Sequence, residues 1–171
     1  TIEMNPKNVE AYYNRALVYF AKGMHDQAIS DFSKTLESNP KNIDAYYNRA
    51  LAYSAKGSYD QAISDFGRTL EINPDHPGVY YNRGLVYYAK GRYEQAIIDY
   101  TSAIEVNSNY AEAYNKRGMA RRGRNWKEET ILDYNRAIDI NPDFAEAYNN
   151  RGLVYYSKEN SDQAMSDFGK A

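Results

Sequence analysis

The chain has no cysteine, which excludes disulfides, thiol catalysis and cysteine-ligated metals. Histidine is almost as scarce. His25 and His76 are the only two, far apart and without the spacing of a ligand pair, so no metal or other cofactor is expected. No run of about 18 apolar residues exists, so no membrane span is expected. Neither sign of charge dominates: 21 Lys+Arg against 23 Asp+Glu give −2, so the chain as a whole is not a polyanion-binding cation. No signal peptide is visible, although the sequence starts at Thr1. Disulfide-free chains occur in every compartment, and a cytoplasmic setting is only the default expectation. At 171 residues, one domain is expected over 1–171.

What the chain does have is tyrosine, 19 of them, in a repeating frame. Asn-Pro recurs at Asn5, Asn39, Asn73 and Asn141, and Asn107 stands in step before Ser108. The step is 34 residues, and Tyr12, Tyr46 and Tyr80 keep it. Each unit reads as two helices. Ala11, Tyr12, Ala16 and Tyr19 form an apolar stripe at helical spacing, and Ala28, Ile29, Phe32 and Leu36 form another. Gly23, Gly57 and Gly91 break between the two, and Asn-Pro ends the second. So small a pair cannot bury its apolar faces alone and must stack on neighbours.

The unit resembles the tetratricopeptide repeat, a 34-residue helix–turn–helix motif, over the whole chain. Each repeat is counted here from its own first residue. An aromatic stands at the fourth place (Tyr12, Tyr46, Tyr80, Tyr114, Tyr148) and a small residue at the eighth (Ala16, Ala50, Gly84, Gly118, Gly152). A second aromatic stands at the twenty-fourth (Phe32, Phe66, Tyr100, Tyr134, Phe168). The resemblance implies an all-α fold, a right-handed solenoid of stacked antiparallel helix pairs. Repeats run 9–42, 43–76, 77–110, 111–144 and 145–171, with 1–8 as the tail of a preceding one. The last repeat stops before its own proline with no polar cap, which suggests a piece of a longer array.

Most repeated residues are core. Arg15, Arg49, Arg83, Arg117 and Arg151 depart from the family, which is usually apolar there, and Asp31, Asp65, Asp99, Asp133 and Asp167 recur with them. The two places are equidistant from the turn, so an Arg–Asp pair is expected inside each repeat.

No nucleophile–base constellation or phosphate loop is present, so no enzyme is expected. The resemblance makes the first helix of each repeat the lining of a peptide groove. Asn14, Asn48, Asn82 and Asn150 would stand along it, with Lys116 in the fourth repeat. An amide can donate and accept at once, which suits an extended backbone, and such ladders occur in superhelical members of the family. Tyr13, Tyr47 and Tyr81, with Leu17, Leu51, Leu85 and Tyr88, would add aromatic and apolar contacts. The family's carboxylate clamp is not carried over, because its asparagine place here holds Leu or Met.

The fourth repeat is different. Lys116, Arg117, Arg121, Arg122, Arg124 and Lys127 fall together with no acid between them. Arg121 takes the place of a core tyrosine and Asn125 that of the turn glycine.

The leading expectation is a non-catalytic scaffold binding an extended segment of another protein. The alternative is homotypic self-assembly through uncapped ends or the groove. The third reading is an acidic ligand or nucleic acid on the fourth repeat, with nucleic acid ranked last on the acidic total charge.

Overall fold

A computed structural model describes residues 9–171. The expected tail at 1–8 lies outside the described residues. Among these, every regular element is an α-helix. Repeat one supplies α1 (Val9–Ala21) and α2 (His25–Ser38), repeat two α3 (Ile43–Lys56) and α4 (Tyr59–Ile72), and repeat three α5 (Pro77–Ala89) and α6 (Tyr93–Val106). Repeat four supplies α7 (Ala111–Gly123) and α8 (Lys127–Ile140), and repeat five α9 (Ala145–Ser157) and α10 (Ser161–Phe168). Contacts divide the chain into two compact units, one up to Val86 and one from Tyr87, so the first ends within α5.

In the first unit, the contacts of α1 with α2 nest about the turn. Phe20 meets His25 nearest the turn, then Arg15 meets Asp31, then Tyr13 meets Phe32. That order is antiparallel pairing. α1 then packs on α2, α2 on α3 and α3 on α4. The core of the first repeat is Ala16, Ala28, Phe32 and Leu36, closed by Ala45 and Ala52 of the second. The next repeat copies it with Ala50, Ala62, Phe66 and Leu70, closed by Val79 and Val86. In repeats one and two the buried large aromatic thus shares its cluster with two apolar residues of the next repeat, which is why a single pair is not a stable unit.

The second unit pairs α7 with α8 and α9 with α10, and stacks α6 on α7 and α8 on α9. Tyr100 and Tyr134 are fully buried in the place of Phe32 and Phe66. Gly118 and Gly152 are also close-packed. A Cβ on either would lie 2.7 Å from a ring carbon of Tyr134 or Phe168.

The Asn-Pro signal has a local cause. Asn39, Asn73, Asn107 and Asn141 each donate their N–H to the carbonyl four residues back and end a helix. Each side-chain oxygen then accepts from the N–H two residues on, an Asx turn. Asn107 does this without a proline after it, so asparagine is the essential turn residue. At the other turn Gly23, Gly57 and Gly91 have φ of 73°, 80° and 70°. Asn125 and Glu159 hold the same place at 61° and 59°, in the left-handed region that a Cβ makes costly.

Candidate binding face

In the first unit the amide donors of Asn48 and Asn82 are already engaged within the protein. Asn48 Nδ2 donates to the carbonyl of Asp44 at 2.8 Å and to the Tyr13 hydroxyl of the preceding repeat at 3.1 Å. Asn82 Nδ2 donates to the carbonyl of Gly78 at 2.8 Å and to the Tyr47 hydroxyl at 3.0 Å. A carbonyl can only accept, so the orientation of each amide follows. Both amide hydrogens are thereby used. Each Oδ1 remains as an acceptor, and each tyrosine O–H remains as a donor. The group left to donate is thus the tyrosine.

The rings are held in place. Tyr13 lies 5.8 Å from Phe32 and Tyr47 lies 6.0 Å from Phe66, both tilted, and His76 adds a contact to Tyr47 at 5.7 Å. Burial pushes the pKa of both hydroxyls up, and the Asp44 charge adds to this at Tyr13, while the asparagine bonds oppose it. Leu17 and Leu51 pack half-buried beside them. Asn14 is exposed on α1, and Tyr81, Leu85 and Tyr88 are half-buried, Tyr88 lying 5.3 Å from Tyr93.

In the second unit the ladder changes. Asn150 is buried and donates to Asn115 Oδ1 at 3.1 Å, so its donor faces the interior rather than a ligand. Asn115 itself is fully buried in the place that Tyr13 and Tyr47 hold in unit one.

The Arg–Asp pairs form in repeats one, two, four and five. Arg49 is representative: Nε and Nη2 donate to Asp65 at 2.7 and 2.8 Å. Arg15, Arg117 and Arg151 pair likewise with Asp31, Asp133 and Asp167. The Asp side chains are nearly dry, so these are not the exposed pairs that contribute little. Sequence reading missed a second partner. Arg49, Arg117 and Arg151 also reach back to Ser33, Thr101 and Asn135 of the preceding repeat, at 2.9, 3.1 and 2.6 Å. Each arginine therefore ties its own helix pair together and fastens it to the previous one.

The basic cluster of the fourth repeat does not form a free cationic surface. Lys116 pairs with Glu146 at 2.8 Å, and Arg124 with Glu94 at 2.7 Å. Arg121 joins Arg117 on Asp133, donating at 2.8 Å, so it replaces the core tyrosine with an internal ion pair. Lys127 reaches the Ser157 carbonyl at 3.5 Å. Among the described residues only Arg122 of this cluster has no hydrogen-bond or ion-pair partner. The Arg124 pair belongs to a series also missed in the sequence: Lys56 pairs with Asp26 and Lys158 with Glu128 at the same spacing. Basic residues at the end of one first helix and acidic ones at the start of the preceding second helix were its readable signal. The third reading loses most of its cations to these pairs.

Antiparallel helix pairs recurring every 34 residues, each tied by the same Arg–Asp bonds in repeats one, two, four and five, define a helical-repeat protein. The family model described as TPR repeat matches residues 51–91, 84–121 and 127–158, and two described as tetratricopeptide repeat match 9–42 and 32–64. The chain belongs to the tetratricopeptide-repeat family. No curated protein matches it. Among solved structures it resembles MamA at 28% identity and TM-score 0.86, over 91% of each chain. It also resembles YrrB, titled a TPR protein with an unusual peptide-binding site, at 25% identity and TM-score 0.80, over 99% of this chain and 87% of that one. MamA from Desulfovibrio magneticus RS-1, at 21% identity and TM-score 0.89, covering 95% of this chain and 92% of its own, shows the shared fold. The repeats and these likenesses support the coarse class of a protein-interaction scaffold. Among the described residues no helix is long and apolar enough to cross a membrane.

Proposed function

We infer that the first-helix face of unit one binds an extended segment of a partner protein. The observation that carries this is the pair of rungs, Tyr13 with Asn48 and Tyr47 with Asn82. Each leaves one O–H donor and one amide acceptor, one repeat apart. An extended chain offers carbonyls and N–H groups on the same edge, so it can meet both groups of a rung. Leu17, Leu51 and the two tyrosine rings supply the apolar contact that such interfaces require. The printed title of YrrB, a peptide-binding protein of the same family, supports the same reading.

The test is selection of random 12-residue peptides on the immobilised chain. Enriched peptides should bind with micromolar affinity and be lost by Asn48→Ala with Asn82→Ala, helicity being kept. Equal enrichment on wild type and variant would refute the assignment. Enrichment of none, with the chain instead sedimenting as a concentration-dependent oligomer, would move the function to self-assembly.

A further inference from the structure

The fourth repeat carries a rearrangement that the rungs do not explain. In repeats one and two, a tyrosine on the first helix rests on a phenylalanine of the second. In repeat four the first helix carries Asn115 and the second Tyr134, so the hydroxyl has moved across the pair. Both side chains are fully buried. Neither Tyr134 Oη nor Asn115 Nδ2 has a hydrogen-bond partner. A buried polar group without a partner is costly, and Arg121 Nε of the same repeat lacks one as well, so three in one repeat need a reason.

Their placement supplies one. Asn115, Gly118, Met119 and Arg122 follow one another at helical spacing and share a stripe of α7. The Tyr134 ring lies against the middle of that stripe, since a Cβ at Gly118 would sit 2.7 Å from Cε1 and 3.1 Å from Cζ. Asn115 is thus one turn to one side of the ring and Arg122 one turn to the other. Arg122 is exposed and, within the basic run 116–127, is the cation without a hydrogen-bond or ion-pair partner. Its charge is the strongest influence opposing the upward, burial-driven shift of the Tyr134 hydroxyl's pKa. Met119 stands where the other repeats have leucine, and its unbranched side chain can move aside.

We propose that Arg122, Tyr134 and Asn115 form a subsite in unit two for one side-chain carboxylate of an acidic peptide segment. Arg122 supplies the charge and makes first contact. With Met119 displaced, the Tyr134 O–H and an Asn115 N–H donate to the carboxylate oxygens. A carboxylate has acceptors only, and three donors that lack acceptors are its complement. The subsite belongs to unit two alone and is argued apart from the rungs of unit one.

The experiment is an NMR titration of the intact chain, following the Asn115 side-chain amide and the Arg122 Nε–H. The probes are N-acetylglutamate α-amide, its neutral glutamine counterpart, and inorganic phosphate. The expected result is saturable shifts with the glutamate probe, absent with glutamine, and affinity at least about fivefold weaker in Arg122→Gln and in Tyr134→Phe. The second variant is safe for folding because Phe32, Phe66 and Phe168 hold that place in other repeats. Equal shifts with glutamine, response to phosphate alone, no shift, or undiminished binding in both variants would each overturn the subsite. The titration needs no peptide and reads unit two, whereas the rungs lie in unit one. Loss of the subsite with continued peptide selection leaves the groove standing, and the converse outcome is equally distinct.

Discussion

Removing one member of the Arg49–Asp65 pair should cost more than removing both. Asp65 has only 7% of its side chain exposed and Arg49 19%, and the guanidinium binds both carboxylate oxygens and Ser33 Oγ. Breaking a fully buried pair on one side costs about 3–5 kcal/mol, because a charge is left desolvated. Arg49→Met strands the drier group, so its cost should fall within that range, about 3–4 kcal/mol. Asp65→Asn leaves a guanidinium that water reaches in part, so about 2–3 kcal/mol is expected. The double change Arg49→Met with Asp65→Leu strands no charge and should cost less than either single change. Urea unfolding followed by circular dichroism gives the totals. Hydrogen exchange of α3 and α4 amides checks that the loss is local, since repeat arrays need not unfold in one step. A double-variant cost equal to the sum of the singles would refute the coupling.

Two further outcomes follow from the same structure. Glu159→Gly, at φ 59° in the exposed fifth-repeat turn, should stabilise by about 1 kcal/mol, and a midpoint that falls would show that the glutamate is held there by something other than the turn. Tyr13, Tyr47 and Tyr134 have pKa values raised above 10.0 by burial, so they favour folding below pH 10 and this contribution is lost as pH rises through their folded values. Ultraviolet titration should show some tyrosines ionising only together with alkaline unfolding, fewer of them in Tyr134→Phe; a single transition at the ordinary tyrosine value would contradict the burial argument.

Much of the fold was legible because a 34-residue period repeats every packing decision. The pairing of Arg15 with Asp31 followed from symmetry about the turn, since both lie within one repeat. Partners across repeats were harder to read. Nothing within a single repeat shows that Asn48 gives its hydrogens to Tyr13 and to its own helix, because that depends on the register of one pair on the next. The basic run in repeat four misled for the same reason. A cluster in sequence is dispersed when each side chain points to a different neighbour, and Lys116, Arg121 and Arg124 each found an acid. The turn residues show a third limit. Asn125 and Glu159 adopt the glycine conformation because the rest of the repeat imposes it, whatever their own preference.

The most direct measurement is the affinity of a selected peptide for wild type and for Tyr13→Phe with Tyr47→Phe, by isothermal titration. The two changes remove only hydroxyls and leave the rings and their packing. If the tyrosines are the groove's donors, affinity should fall at least about tenfold, or roughly 1.4 kcal/mol, while unfolding shifts little. Affinity unchanged in the double variant would contradict the assignment of the rungs as the binding face.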